Sequence, residues 1–184
     1  MRCKTTSVIR TERLILRAFD ENDLSDMAEW ASDPAVQLEY GEPVYPDTDA
    51  VRELLHKYLA AYADPGYYRW AIHLRDTGEG IGQIGFCRVY DDIHTAEIEY
   101  CIARKHWGKG FAGEALRSVI CWTFAETDFV KLEAYARAEN TKSVRVLEKS
   151  MLLPADTVER FRRAGINPDG EKCFCILKDE AISL

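Results

Sequence analysis

Hydrophobic and polar positions along the chain change their period several times, and the changes divide it into short elements. Alternating apolar residues at positions 7–17 predict a first strand. Asp20 is then a candidate N-cap for a helix whose apolar residues recur at helical spacing, and Pro34 is expected to end that helix. Residues 39–46, rich in tyrosine, proline and glycine, predict a loop.

The middle of the chain switches from helical to strand periodicity. Asp47 is a candidate N-cap, and apolar residues at i, i+3, i+4, i+7 and i+8 predict a helix over residues 51–62. Strict alternation then predicts strands over residues 70–74, 81–90 and 95–103. Because short turns join these three strands, they should form an antiparallel sheet.

The last third of the chain alternates between strands and helices, with a polar stretch at residues 155–171 before the final strand. The predicted elements are a helix opening from a Gly-rich segment at residues 104–113, a strand over residues 130–136, a short helix from Asn140 through Met151, and a strand over residues 172–177.

Length and composition narrow the classes of protein to which the chain can belong. It has 184 residues, of which 47% are hydrophobic and 30% charged, as is ordinary for a globular protein. The order of elements predicts a single α+β domain over residues 1–184, with a mixed, mostly antiparallel sheet flanked by helices. A net charge of −7 argues against binding nucleic acid through its phosphates. Without a membrane-length apolar segment or a signal-peptide pattern, we expect a cytoplasmic protein that binds no membrane.

Six cysteines lie mostly within apolar runs, which predicts buried, reduced thiols. They form no C-x-x-C pair and have no histidine cluster beside them, so no metal site is expected. The cysteines are Cys3, Cys87, Cys101, Cys121, Cys173 and Cys175.

The sharpest local signal is a Gly-rich segment in which Gly108, Gly110 and Gly113 spell G-x-G-x-x-G. Glycines let backbone N–H groups approach a ligand, and the N-terminus of the following helix adds further N–H groups and the positive end of its dipole. The segment therefore predicts a pyrophosphate site, with a ligand-free turn as the alternative. A dinucleotide-binding fold would place this segment after the first strand of a parallel sheet, whereas here it follows an antiparallel one, which argues against that fold. The absence of the Walker sequence G-x-x-x-x-G-K-(S/T) excludes a nucleotide-binding P-loop.

Five short motifs follow one another along the chain: TERLILR at 11–17, IGQIG at 81–85, AEIEY at 96–100, WGKGFAGEA at 107–115 and ENTKSVRVLEK at 139–149. In this order they resemble the GNAT superfamily of acetyl-CoA-dependent N-acetyltransferases. Within that superfamily the chain is similar to the branch of ribosomal-protein N-terminal alanine acetyltransferases, from about Arg10 to Asp179.

The resemblance implies that acetyl-CoA is the acetyl donor and that backbone amides of the Gly-rich segment hold its pyrophosphate. The family's loop pattern, Gln/Arg-x-x-Gly-x-Gly/Ala, falls on Trp107, Gly110 and Ala112, with Trp107 in place of the polar residue. The donor-binding residues implied are Tyr100, Cys101, Ile102, Trp107, Gly108, Lys109, Gly110, Phe111, Ala112, Gly113 and Asn140.

Acetyl transfer from a thioester to an amine needs a neutral amine, a donor to the carbonyl oxygen and a proton for the leaving thiolate. Glu97 stands in the Ala-Glu-Ile context in which relatives place a general base acting through water. An exposed or salt-bridged strand carboxylate is the alternative, and Glu99 is the substitute base. Backbone N–H groups near Tyr100 and Cys101 are the expected donors to the thioester oxygen.

Two polar residues open the short helix after residue 139. Asn140 is either the N-cap of that helix or, by the resemblance, a contact to the pantetheine arm. Ser143 matches the serine proposed in this branch to protonate the leaving thiolate, and an ordinary helix serine is the alternative. Past Lys149 the sequence departs from the family pattern, in a region that borders the family's acceptor site.

These observations predict transfer of an acetyl group from acetyl-CoA to a primary amine, with a protein N-terminal α-amine as the favoured acceptor. A small amine, such as a polyamine or an aminoglycoside-type antibiotic, is an alternative, and the acidic segment 39–49 would suit a cationic acceptor of either kind. A non-catalytic acyl-CoA-binding regulatory domain is a third possibility. The oligomeric state is left open between a monomer and a homodimer.

Overall fold

The structure is a computed structural model that describes residues 6–150 and 153–181. The described residues contain eight strands. They are β1 (Ile9–Arg10), β2 (Leu14–Arg17), β3 (Arg69–Leu74), β4 (Gly80–Tyr90), β5 (Thr95–Ile102), β6 (Lys131–Arg137), β7 (Leu153–Ala155) and β8 (Glu171–Leu177).

Seven α-helices accompany the strands in the described residues. They are α1 (Leu24–Ala31), α2 (Pro34–Tyr40), α3 (Thr48–Ala61), α4 (Phe111–Glu126), α5 (Thr141–Lys149), α6 (Glu159–Ala164) and α7 (Lys178–Ala181). Short 3₁₀ turns lie at Glu21–Asp23, Asp91–Ile93 and Arg104–His106.

The strands form one sheet in the order β1-β2-β3-β4-β5-β6-β8-β7. The pairs β1·β2, β2·β3, β3·β4, β6·β8 and β7·β8 are antiparallel, whereas β5·β6 is parallel. A mixed, mostly antiparallel sheet accompanied by helices confirms the predicted α+β class.

The described residues fall into two compact units. The N-terminal unit comprises residues 6–85 and 100–118, and the C-terminal unit comprises the described residues of 86–99 and 119–181. Strands β4 and β5 and helix α4 each begin in one unit and end in the other.

The core of the N-terminal unit forms where the apolar sides of α1, α2 and α3 meet side chains from β3 and β5. Helical spacing places these residues on one side of each helix, and their burial removes apolar surface from water. The buried cluster consists of Phe19, Met27, Trp30, Ala31, Val36, Val51, Leu54, Leu55, Ala71, Cys101 and Ala103.

The C-terminal unit is organised around β6, which pairs with β8 along its whole length. The parallel register with β5 sets Glu97 directly beside Glu133, and both carboxylates are buried. The same unit contains an edge-to-face contact between Phe86 and Phe129, with ring centroids 5.6 Å apart.

Two sequence-based boundaries in the N-terminal unit are wrong. The predicted strand over residues 7–17 is two strands, because Thr11 forms a turn in which its Oγ1 accepts from the Leu14 amide at 2.9 Å. The helix expected to end at Pro34 does end just before it, at Ala31, but the loop predicted from residue 39 starts too early, because Pro34 occupies the first position of a second helix, α2, capped by Asp33. That position makes no helical N–H bond, so proline costs nothing there. The predicted loop over residues 39–46 therefore begins only after α2 ends.

The polar stretch over residues 155–171 also contains structure that the sequence did not predict. Helix α6 has few apolar residues, and its arginines pair with charged neighbours instead, so hydrophobic periodicity could not reveal it. The helix predicted to run from Asn140 to Met151 is α5, which ends at Lys149, and Met151 lies outside the described residues.

Five cysteines lie among the described residues, and all are free thiols. Cys101 and Cys173 are buried, but Cys121 is exposed, so the expectation of burial is wrong for it. Its apolar neighbours lie on a helix, α4, where one side faces water even within an apolar run. Cys3 lies outside the described residues, which contain no cluster of three or more potential metal ligands.

Within the part of the chain that the structure describes, no helix has the length and apolar character needed to cross a bilayer.

A buried ionic cluster ties β2 and β3 to the turn before α1. Arg17 donates to both oxygens of the buried Asp23 carboxylate, at 2.8 and 2.7 Å, and His73 Nε2 lies 3.2 Å from Asp23 Oδ1. Burial by itself raises the pKa of Asp23, but His73, Arg17 and the Asp20 amide outweigh it and lower that pKa to about 2.

Because the pKa of Asp23 falls on folding, from about 3.9 to about 2, the ionised carboxylate stabilises the folded state. That contribution is present above about pH 4 and is lost as the pH falls through about 2. We expect Asp23→Asn to lower the free energy of unfolding by about 2 kcal/mol at pH 7, with a difference from wild type that shrinks below pH 4.

Chemical denaturation between pH 2.5 and 7 checks this expectation. The control is Asp49→Asn, since Asp49 is 92% exposed and its pairing with Arg52 should contribute little. A deficit for Asp23→Asn that does not change with pH would contradict the role of the charge.

Candidate active site

The Gly-rich segment is an exposed loop that leads from β5 into α4. Gly108 and Gly110 have φ angles of 76° and 82°, in the left-handed region that favours glycine. The Glu114 amide is bonded to the Gly110 oxygen at 3.1 Å as α4 begins. The N–H groups ahead of it in the first turn lack helical partners, as at any helix N-terminus. The loop therefore presents amide donors without obstructing side chains.

Contacts on the β5 side hold the start of the loop. Trp107 Nε1 donates to the Ile102 oxygen at 2.7 Å, which closes the turn between the strand and the loop. A Cβ atom on Gly82 would overlap the Cys101 carbonyl oxygen, so glycine is required where β4 passes this part of β5. The predicted donor-binding residues at 100–102 and 107–113 thus form one continuous structure in the N-terminal unit.

The 3₁₀ turn before the loop is held by contacts between its three side chains and nearby carboxylates. Arg104 Nε lies 2.9 Å from Asp33 Oδ2, and His106 Nε2 lies 3.1 Å from Glu79 Oε1. Lys105 Nζ pairs with the same Glu79 oxygen at 2.7 Å. These contacts hold the turn against the rest of the N-terminal unit, and they therefore fix the position at which the loop starts.

On the other side of the loop, the turn between β1 and β2 contacts the first turn of α4. Glu114 accepts from Thr11 Oγ1 at 2.5 Å, from the Arg13 amide at 2.9 Å and from Arg13 Nε at 2.7 Å. Arg13 Nη1 also donates to the Lys109 carbonyl oxygen at 3.0 Å. Partial burial raises the pKa of Glu114, but the bonds from Thr11 and Arg13 outweigh it, so the pKa is lowered and Glu114 is ionised at neutral pH.

Glu97, the predicted base, lies on β5 in the C-terminal unit and is only 1% exposed. Its Oε1 accepts a hydrogen bond from the Cys87 thiol, with Sγ at 3.1 Å, and lies 3.6 Å from Arg160 Nη1. Its Oε2 has no hydrogen-bond partner among the described residues. Burial raises the pKa of Glu97 more than Cys87 and Arg160 lower it, so the net shift is upward.

Helix α6 supplies the charge that faces Glu97. Arg160 donates to the Tyr135 hydroxyl, and its guanidinium lies 5.1 Å from the centre of that ring. The Glu159 amide donates to Glu133 Oε2 at 2.7 Å, and Arg163 pairs with Asp92 at 2.7 Å. The segment that the sequence left without structure therefore holds an arginine beside the predicted base.

Asn140 and Ser143 lie together at the start of α5. Asn140 Oδ1 accepts from the Ser143 amide at 3.0 Å, which makes Asn140 the N-cap and confirms that alternative for its local role. The Ser143 side chain is half-buried one turn into the helix.

Sequence reasoning did not single out Arg13, Glu114 or Arg160, whose contacts lie at the candidate site. Arg13 and Glu114 both lie in segments that carry the family resemblance, but they are separated by 101 positions. A single sequence gives no signal that two such charges pair. Arg160 lies in a stretch where the polar pattern predicted no element.

Comparison with known proteins identifies the family. The protein-family model described as "Acetyltransferase (GNAT) domain" matches residues 13–150. A Bacillus licheniformis protein described as an uncharacterized N-acetyltransferase is 30% identical over 162 residues, covering 88% of this chain and 86% of that protein.

Two solved structures share the fold. A spermidine N-acetyltransferase from Vibrio cholerae, in complex with CoA and spermine, has a TM-score of 0.74 and 21% identity, covering 94% of this chain and 99% of that one. A ribosomal-protein alanine acetyltransferase from Vibrio fischeri has a TM-score of 0.76 and 15% identity, covering 94% and 97%.

The family match, the relative and the shared fold agree with the resemblance carried by the sequence segments. The chain belongs to the GNAT family and is an acetyl-CoA-dependent N-acetyltransferase.

Proposed function

We propose that residues 1–184 act as one cytoplasmic N-acetyltransferase domain that uses Glu97 as general base toward a primary amine. The observation that carries this proposal is the buried Glu97 carboxylate, which keeps one oxygen without a hydrogen-bond partner among the described residues. Burial raises the pKa of Glu97 and makes it a stronger base than an exposed glutamate, while Arg160 beside it acts in the opposite direction.

The donor side of the proposal rests on the Gly-rich loop. The amides of residues 108–113 would hold the acetyl-CoA pyrophosphate, since the loop exposes N–H groups at a helix N-terminus. Backbone N–H groups near Tyr100 and Cys101 are the proposed donors to the thioester oxygen as it gains charge. Asn140, beyond its role as N-cap, is proposed to contact the pantetheine arm.

The proton transfers follow from the chemistry of the reacting groups. Glu97, acting through water, accepts one proton from the ammonium form of the amine, and the neutral nitrogen then forms a bond to the acetyl carbon. As the C–S bond breaks, the nitrogen loses its second proton to solvent, and the Ser143 hydroxyl gives its proton to the departing thiolate and recovers one from solvent. Glu97 later releases its proton to solvent, so each acetylation of an ammonium group releases one proton in net.

A protein N-terminal α-amine is the acceptor that this base suits best. The pKa of an α-amine is about 7.7–8.0, against about 10.4 for a lysine side chain, so far less driving force is needed to make it neutral. A carboxylate whose pKa is raised by burial, as that of Glu97 is, suits this acceptor. The ribosomal-protein acetyltransferase that shares the fold gives this acceptor class a precedent.

A polyamine is the second acceptor, favoured by the carboxylates near α3. Glu42, Asp47 and Asp49 are exposed in or beside the segment before that helix, where they would attract a cationic molecule. The spermidine acetyltransferase with the same fold is the corresponding precedent.

A thiol-release assay with acetyl-CoA separates these acceptors. We expect peptides with a free N-terminal amine to release CoA faster than spermidine does, and the same peptides with a blocked N-terminus but an internal lysine to release none above background. Faster release with spermidine would assign the second acceptor, and no release with either amine would contradict both proposed acceptors.

Replacing Glu97 by Gln removes the proton acceptor while keeping the side-chain size. We expect kcat at neutral pH to fall by about 10²–10⁴-fold, whereas the Kd of CoA stays within twofold. In the wild type, the acidic limb of the pH–rate profile should lie above the ordinary glutamate pKa of about 4.3, because burial raises the pKa of Glu97.

Two further variants sharpen that test. Arg160→Gln should move the acidic limb to higher pH, since the guanidinium that lowers the pKa of Glu97 is gone. Glu99→Gln serves as the matched control on the same strand and should keep most of the activity. If Glu99→Gln loses activity and Glu97→Gln does not, the base is Glu99.

Replacing Ser143 by Ala removes a hydroxyl donor but little volume, so folding and CoA binding should persist. We expect kcat to fall within the range of about 10²–10⁴-fold that positioned proton transfer supplies. An acyl donor with a more acidic thiol should reduce this defect, because a better leaving group needs less protonation. An equal defect with both donors would contradict proton donation by Ser143.

A further inference from the structure

Arg13 contacts two parts of the proposed donor site at once. Its Nε and backbone amide bond to the Glu114 carboxylate, while Nη1 bonds to the Lys109 oxygen and the guanidinium plane lies 4.5 Å from the centre of the Phe111 ring. Nη2 is 3.5 Å from the point where a Cβ on Gly110 would lie. One side chain from the β1–β2 turn thus spans the loop and the first turn of α4.

The bond to Lys109 fixes the direction of an amide. The peptide that joins Lys109 to Gly110 is planar and trans, so its C=O and N–H groups point in opposite directions. Because Arg13 holds the Lys109 oxygen on its own side, the Gly110 N–H points to the other side of the loop. At φ values open to glycine, this peptide could otherwise rotate, and its carbonyl would then face an incoming anion.

Glu114 places a negative charge in the first turn of the helix that is proposed to bind a pyrophosphate. An unpaired carboxylate there would repel that anion and compete for the same amides. Thr11 and Arg13 together occupy both of its oxygens, so the charge is balanced on the side of the β1–β2 turn.

We propose that Arg13 is a positioning residue for acetyl-CoA: it orients the Lys109–Gly110 peptide toward the pyrophosphate and balances the charge of Glu114. The proposal rests on the role assigned to the Gly-rich loop in the proposed function. It requires the planar, forked guanidinium, because the single ammonium group of lysine cannot bond both Glu114 and the Lys109 oxygen in this geometry.

Isothermal titration calorimetry with CoA, on the full chain, tests the proposal. We expect Arg13→Gln to weaken CoA binding by about 10- to 100-fold, the range for loss of charge-assisted hydrogen bonds that hold a site. Arg13→Lys, which keeps the charge, should restore less than a third of the change in log Kd that Arg13→Gln causes. Thermal unfolding should confirm that both variants are folded at the temperature of the titration.

Arg75→Gln is the matched control. Arg75 also contacts the β1–β2 turn, through the carbonyl oxygens of Thr11 and Glu12, and carries the same charge, but it makes no bond to the loop or to Glu114. The CoA affinity of the Arg75→Gln variant should equal that of the wild type. An equal loss in Arg75→Gln would show that only the turn or the net charge matters, and full affinity in Arg13→Lys would show that charge alone suffices; either result overturns the proposal.

Gly110→Asp distinguishes failure of the proposal from failure of the loop assignment. It adds a side chain and a negative charge at the proposed pyrophosphate site and should abolish measurable CoA binding. If it does so while Arg13→Gln binds CoA like the wild type, the loop is the donor site and Arg13 does not position it. If Gly110→Asp binds CoA normally, the loop is not the pyrophosphate site, and the proposed role of Arg13 is then wrong as well.

Discussion

Backbone amides bind a pyrophosphate well only when their peptide planes are fixed before the ligand arrives, because reorienting them would cost conformational free energy at each binding event. A loop that uses glycines to clear space for the ligand also gains freedom to rotate. The residues around this loop counter that freedom. Trp107 bonds back to β5, ion pairs fix the preceding turn, and Arg13 holds a carbonyl oxygen of the loop itself.

Glu97, the proposed base, faces a related constraint, because its carboxylate is buried. A carboxylate in a protein interior is costly unless it is paired, yet a base that is fully paired has a depressed pKa and accepts protons poorly. Glu97 lies between these limits. The Cys87 thiol donates a hydrogen bond to one Glu97 oxygen, and Arg160 lies 3.6 Å away, within ion-pair distance but too far for a hydrogen bond. The negative charge is therefore partly balanced while the pKa of Glu97 stays raised.

Much of this arrangement could be predicted from the sequence. The parts that could not be predicted have a physical cause in common. Helix α3, strands β3 to β5 and the Gly-rich turn into α4 follow from local spacing, since their apolar residues repeat with the period of the element. The site residues on β5 and in the loop came from motifs in family order. Helix α2 was missed because a proline is compatible with both the end of one helix, as predicted, and the start of the next.

The features that escaped prediction depend on pairings distant in sequence. Helix α6 has an arginine-rich sequence whose partners include Asp92 and Glu97, some 70 residues away, and the Arg13–Glu114 pair spans an even longer separation. Charge patterns on one segment do not reveal such partners.

Backbone NMR of the ¹⁵N-labelled protein during titration with CoA, compared with pantetheine, tests most directly whether the loop amides hold the donor's pyrophosphate. If they do, the amide resonances of residues 108–113 shift strongly with CoA, which carries the pyrophosphate, and only slightly with pantetheine, which lacks it. If CoA binds and those resonances stay in place, or if pantetheine shifts them equally, the pyrophosphate is held elsewhere.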